Sequence, residues 1–464
     1  MRFRRHFIRK ALLLGGLASL LLAAGCQYTT TPADLLIAPK PVPENAALTD
    51  ALHTILPLQA KLSVVTHEDA NSAILQLDGD GDGRKEAFVV FADESGTQRV
   101  MVLEQTSGGW RERFTFAETS TYGVDVLRAA DLDGDGVPEV MIGWNQFGEP
   151  QHILTLYHIG RTAGQKGAPR PLAELPYDTM GIGDADGDGR PEIGLIQLQR
   201  LKLTAGIDIY RFADGEAAKL ASAPLDGSVN AYLQVKLGQL APGQYGVVGD
   251  AAIGTNSSTT TMLAWEDGAL ARIYPPKSPG DENVQTNANA VLSGDANGDG
   301  MLDIPQLTEA PGQADGVPYS DLLWIEVDKQ WDGQGGFLTV ARRYADAGNA
   351  YAIQIPDEWT GFTFRRPAGG GPSDIALDAY DEETGQRAEV LTVRAAALDA
   401  WDDREGELQA DDVRYLKLGT ADGLVYYAVW HDKLQEGGRL TTAGPGSFPP
   451  DEAEMKRLFK LLTP

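Results

Sequence analysis

Four segments of this chain write the same pattern of acids in the same register, each set between two short apolar runs. Counting from the first acid, positions 1, 3, 5 and 9 are Asp78, Asp80, Asp82 and Glu86; Asp131, Asp133, Asp135 and Glu139; Asp184, Asp186, Asp188 and Glu192; and Asp295, Asn297, Asp299 and Asp303. Positions 4 and 6 are always glycine. Alternation places the acids on one side of a tight turn, and the glycines accept the backbone conformations such a turn demands. Carboxylates gathered this closely repel one another unless a cation sits among them. Oxygen donors at this spacing suit a hard divalent ion, so the expected cofactor is calcium, with the carbonyl oxygens of Arg84, Val137, Arg190 and Met301 at position 7 completing each cage.

An EF-hand would need helices on both sides and a bidentate glutamate at position 12. Position 12 is instead Val89, Ile142, Leu195 and Gln306, and the flanks of the first loop, 73–77 and 87–91, read as strands. One Asp-Gly motif alone would read as a hairpin turn; four copies with the acid in register argue for metal. In the fourth, Asn297 replaces an anionic donor by a neutral one.

The first aspartates stand at 78, 131, 184 and 295, and the last step is about twice the others. A hidden copy is therefore expected midway, and the segment from Val235 to Val248 keeps the apolar–turn–apolar frame without acids. A period near 54 residues holding several short strands suggests propeller blades rather than a helical solenoid. In the second unit, strands are expected over 124–129, 138–144, 152–159 and 171–176.

These loops resemble FG-GAP (VCBS, integrin alpha-like) repeats over about residues 60–340. The resemblance implies a β-propeller with calcium in the loop between the first two strands of each blade. That family is best known for seven blades, whereas about five units are counted here, so an open or a five-bladed arrangement is implied. The whole chain also looks like lipoproteins of Gram-positive bacteria that join such repeats to a small C-terminal domain.

Five basic residues (Arg2, Arg4, Arg5, Arg9 and Lys10) precede an apolar run from Ala11 to Ala24, which meets Gly25-Cys26. This reads as a signal peptide over 1–25, too short for a good spanning helix. Cys26 is the only cysteine, which excludes a structural disulfide, and its setting resembles a lipobox, implying lipidation at Cys26. Loss of residues 1–25 would take the net charge from −27 to −32. Such an anion is a poor partner for nucleic acid or for an anionic lipid surface, so membrane attachment is assigned to the lipid anchor.

Residues 26–45 read as a flexible tether. In 46–60, Leu48, Leu52, Ile55 and Leu58 form an apolar stripe at helical spacing, expected to pack on the first blade. The repeat domain is assigned to 46–344 and a small α+β domain to 345–464. The latter begins with a strand ending in Ile355-Pro356-Asp357 and continues with strands near 374–380, 387–394, 413–417 and 424–430. It closes with an amphipathic helix carrying Met455, Leu458, Phe459 and Leu462. This module resembles the Mog1/PsbP type.

No H-E-x-x-H, G-x-S-x-G, Walker or C-x-x-C motif occurs, and the six histidines form no recognisable constellation. His152 and His158 share the parity of one strand face and, with no nearby acid, are read as surface residues, with metal ligation as the alternative. Trp359, Trp401 and Trp430 are read as core, with a carbohydrate platform as the alternative. The sequence thus points to a mainly β, propeller-like array of about five blades followed by a small α+β domain. Its expected role is non-enzymatic: a lipid-anchored, extracytoplasmic, monomeric binding or adhesion module whose protein or glycan ligand the sequence does not name. A secreted hydrolase or lyase with an accessory propeller, and a structural envelope assembly factor, are the competing readings.

Overall fold

The computed structural model describes residues 43–462 except 68–72, 119–120, 149, 161–166, 214, 276–285, 315, 319–320, 347, 349 and 432–447. The expected signal peptide, Cys26 and most of the expected tether lie outside the described residues.

Each repeat folds as an antiparallel sheet whose strands follow chain order. The second is Thr121–Ala130, Glu139–Gln146, His152–Tyr157 and Ala173–Tyr177; the third is Thr179–Gly183, Glu192–Gln199, Thr204–Ala213 and Glu216–Asp226. The first contains Ile74–Leu77, Glu86–Ala92, Gln98–Thr106 and Gly109–Phe116, with Lys61–Leu62 as an extra short strand. The acidic loops are the hairpin connections between the first two long strands of these sheets. The repeat without an acidic loop forms the same hairpin, Ala231–Ala241 with Gln244–Ile253, closed by Pro242-Gly243 in place of a long loop.

The second strands read as unbroken apolar runs, such as Ala87-Phe88-Val89-Val90-Phe91, because both of their faces are covered. Successive sheets bury these faces against one another in five apolar layers. Phe88, Val90, Val140, Ile142 and Trp144 meet between sheets one and two, and Leu154, Leu156, Ile193 and Leu195 between two and three. Ile196, Ile207, Val235 and Val247 lie between three and four, and Val248, Met262, Ile304 and Trp331 between four and five. Gly181 and Gly183 let the inner strands of sheets three and four touch, since a Cβ there would meet the carbonyl oxygens of Val235 and Leu237 at 2.1 and 2.2 Å.

The two ends of this array are capped rather than joined. On the first sheet, helix α1 (Pro43–Ile55) lays Leu48 and Leu52 over Ala87, Val89, Phe91, Met101 and Leu103, as its apolar stripe predicts. Leu58 falls beyond the helix and is exposed, contrary to the expectation that it extends the stripe. At the other end, sheet five (Ile304–Glu309, Trp324–Trp331, Phe337–Ala345, Tyr351–Gln354 and Phe459–Leu461) shares a fifth core with the last sheet. That sheet runs Phe362–Arg365, Ile375–Tyr380, Arg387–Ala397, Leu424–Trp430 and Tyr415–Ala421. Its far face is closed by helix α2 (Trp401–Ala410) through Trp401 and Leu408. Trp359, Trp401 and Trp430 are all buried, in agreement with the core reading.

The closing helix differs from expectation. Helix α3 spans only Glu452–Leu458, capped by the Asp451 carboxylate accepting from the Glu454 N–H at 2.8 Å, and then the chain turns into the strand Phe459–Leu461. Phe459 thus leaves the helix to pair with Ile353, stacking on Tyr351. The strand through Ile353 is accordingly part of sheet five, paired with Phe337–Ala345, so that sheet crosses residue 344.

Because α1 lays its buried leucines on that face, truncating one of them tests the end cap. Leu52→Ala should lower the free energy of unfolding by about 2–4 kcal/mol in chemical denaturation, whereas Leu58→Ala should stay within about 0.5 kcal/mol of wild type. Equal effects would mean the helix is not a cap.

Candidate metal centres

One hydrogen-bond scheme builds all four acidic loops. The carboxylate at position 1 accepts two backbone N–H groups across the turn: Asp78 from Gly81 and Gly83 at 2.7 and 2.8 Å, and Asp131 from Gly134 and Gly136 at 2.8 and 2.9 Å. Asp184 and Asp295 repeat this with Gly187 and Gly189, and with Gly298 and Gly300. Both glycines are left-handed in every loop, with φ between 76° and 88°, where a side chain would strain the backbone. Position 5 closes the turn: Asp82, Asp135, Asp188 and Asp299 accept from the N–H groups of Arg84, Val137, Arg190 and Met301.

The acid at position 9 is buried in every copy and opens the next strand in the first three, while Asp303 stands one residue before Ile304–Glu309. Glu86, Glu139, Glu192 and Asp303 each accept from the N–H of position 2, from Gly79, Leu132, Ala185 and Ala296 at 2.9–3.0 Å. In three loops this acid converges with positions 1 and 3. Oxygens of Asp78, Asp80 and Glu86, of Asp131, Asp133 and Glu139, and of Asp184, Asp186 and Glu192 lie within 4.8 Å of one another. These clusters could hold a metal ion. The position 5 carboxylates do not join them, and in the fourth loop Asn297 leaves only two acids for such a group.

Burial raises the proton affinity of these deep acids. Loss of solvent pushes Glu86 up to about 7, against the opposing Gly79 hydrogen bond, and raises Glu139, Glu192 and Asp303 above the ordinary carboxylate range for the same reason. A cation beside them would reverse that penalty. The second loop shows the need most directly, because Glu139 Oε1 is buried with no hydrogen-bond partner.

Each loop is counterbalanced by a different neighbour, a grading that sequence spacing does not reveal. Arg113 lies 2.7 Å from Asp80 in the first loop. Arg211 enters the third, reaching Asp186, Asp188 and Glu192 at 2.6, 2.9 and 2.8 Å. At the second the His158 ring lies 3.1 Å from Asp135, and at the fourth the neutral Gln330 amide lies 2.8 Å from Asp299 and 3.1 Å from Asp303. His158 is therefore buried at a loop, not on the surface. His152 is buried too, against Asp125. Their reading as surface residues is corrected: His152 opens the strand His152–Tyr157, His158 directly follows it, and both are buried.

A model of the FG-GAP-like repeat family matches residues 78–142, from the first acid of the first loop through the second loop. None of the curated proteins compared matches this chain. Among solved structures, the rhamnogalacturonan lyase PL11 of Bacillus licheniformis is 14% identical, with 72% of this chain and 67% of that one covered and a TM-score of 0.36. The rhamnogalacturonan lyase YesW is also 14% identical over 72% and 67%, with a TM-score of 0.34. The Dos1 propeller is 9% identical over 59% and 62%, with a TM-score of 0.29. Likenesses this distant do not bear on activity. The family match places FG-GAP-like repeat sequence at residues 78–142, within a mainly β, propeller-like fold.

Proposed function

We propose that this protein is a calcium-braced, lipid-anchored display module outside the cytoplasm, whose task is to bind a protein or glycan rather than to catalyse. The observation that carries the calcium reading is the threefold convergence of positions 1, 3 and 9 around a buried acid, with Glu139 Oε1 left unsatisfied. The donors are all oxygen, the chemistry calcium prefers. Asp78, Asp131, Asp184 and Asp295 would hold the ion with their partners at positions 3, 5 and 9 and the position 7 carbonyls of Arg84, Val137, Arg190 and Met301. The ion would neutralise the deep acid and tie the turn to the next strand. The second loop, where Glu139 Oε1 is left without a hydrogen-bond partner, is the strongest of the four on this reading. The third already holds the Arg211 guanidinium and is weaker.

The binding role rests on the overall charge and on the lack of any catalytic motif. Four calcium ions would still leave a mature chain near −24 overall, which favours neutral or cationic ligands over nucleic acid. Cys26 supplies the anchor, and the stretch after it sets the array away from the membrane.

Calcium should bind with dissociation constants of about 10⁻⁴–10⁻³ M by calorimetry, as in other extracellular modules, and chelation should lower the melting temperature. Asp133→Ala should reproduce part of that loss, while Gln239→Ala in the hairpin without an acidic loop should not. Equal losses, or no heat at millimolar calcium, would make the loops ordinary turns. For the anchor, Cys26→Ser should release a folded, soluble protein in fractionation. A mutant that stays with the membrane, together with a wild type that takes up no labelled fatty acid, would place the attachment elsewhere.

A further inference from the structure

A second, chemically different cluster lies where the first sheet meets the second. His67, Asp125 and His152 each present a ligand atom within 4.8 Å of the others. His67 comes from the segment between Lys61–Leu62 and Ile74–Leu77 of the first sheet, Asp125 from strand Thr121–Ala130, and His152 from the start of His152–Tyr157. Asp125 and His152 are buried, while His67 is exposed.

The surroundings build this cluster deliberately from backbone and second-layer contacts. A bulge in the pairing of Thr121–Ala130 with its neighbour, between Val124 and Val126, falls on Asp125. The backbone N–H groups of Thr66 and His67 bond to the carbonyls of Val124 and Asp125 at 3.1 and 2.9 Å, and Asn145 Nδ2 donates to Thr66 Oγ1 at 3.1 Å, so His67 is held against the bulged strand. The Tyr177 hydroxyl donates to Asp125 Oδ2 at 2.6 Å, orienting the carboxylate. It fits there because residue 143 is glycine: a Cβ would stand 2.0 Å from that hydroxyl. Asp125 Oδ1, the other oxygen, is hydrogen-bonded to His67 Nδ1. His152 Nδ1 lies 3.7 Å from the same oxygen, buried and making no hydrogen bond.

We propose that His67, Asp125 and His152 form a binding site for a divalent transition metal of the zinc class, distinct from the acidic loops and clamping that segment of the first sheet to the second sheet. Two imidazole nitrogens and one carboxylate oxygen are a zinc donor set and a poor calcium one. Ligands about 2.0–2.1 Å from a tetrahedral zinc stand roughly 3.3 Å apart. The 3.7 Å separation of His152 from Asp125 needs to close only slightly, and the exposed His67 has room to open its direct contact with Asp125 and admit the ion. Tyr177 serves as the outer partner that fixes the ligating carboxylate. Three protein ligands leave a fourth position for water, the donor count of zinc sites that accept exogenous ligands.

The test is a cobalt(II) titration of the full chain in detergent with calcium in excess, so that the loops are already filled. One equivalent should bind, produce the intense visible absorption of a low-coordinate nitrogen–oxygen site, and be displaced by zinc but not by further calcium. His67→Ala, an exposed change that leaves folding intact, and His152→Ala should each weaken cobalt binding by at least about 100-fold, and Tyr177→Phe by about 10-fold. His53→Ala on helix α1 should bind as wild type. Zinc should also raise the melting temperature of calcium-saturated wild type and not that of His67→Ala. If wild type takes up no cobalt, or if His67→Ala binds it unchanged, the cluster is an ion pair between His67 and Asp125 and the proposal is overturned.

Discussion

The hydrogen bond from the second residue of each loop to a buried acid at the ninth is the contact on which the repeat depends. It joins the start of the turn to the acid that opens the next strand, or in the fourth copy directly precedes it, at 2.9–3.0 Å. A buried carboxylate that accepts one N–H still lacks charge compensation, and its proton affinity rises accordingly. The repeat therefore carries a need for a cation in its own geometry. Where a protein cation already enters, as Arg211 does in the third loop, that need is partly met from within. In the second loop the Glu139 Oε1 atom is buried without a hydrogen-bond partner.

Stacking does the rest. Each four-stranded unit has two apolar faces and can cover neither alone, so the sheets pack in succession and the problem moves to the ends of the row. Helix α1 settles it at one end with Leu48 and Leu52, and the C-terminal sheet at the other through the core around Tyr344, Tyr351, Trp359 and Phe459. A closed ring would need those same faces free to meet each other. The five blades are capped, so a count too low for a familiar closed propeller creates no strain to explain.

What could be read in advance was what is local. The aspartate ladders, the strands beside them and the acid-free hairpin from Val235 to Val248 all follow from spacing and alternation within a few residues. The stripe of α1 was equally visible, up to the point where Pro57 and Leu58 leave the helix. What depends on distant partners was hidden. The end of α3 could not be placed, because Phe459 pairs with Ile353 from a far part of the chain, and helical spacing alone kept Phe459 and Leu462 in register. Arg113 and Arg211 enter the loops from strands well downstream. The grouping of His67, Asp125 and His152 has no sequence motif, since three separate segments meet only when the second sheet packs on the first.

The central claim is that the buried ninth acid is balanced by a bound calcium, most completely in the second loop. Anomalous scattering from crystals grown in millimolar calcium measures this directly. A peak between Asp131, Asp133 and Glu139, stronger than any beside Arg211 in the third loop, is the predicted result. A second loop that stays empty in such crystals while the fold is intact would contradict it.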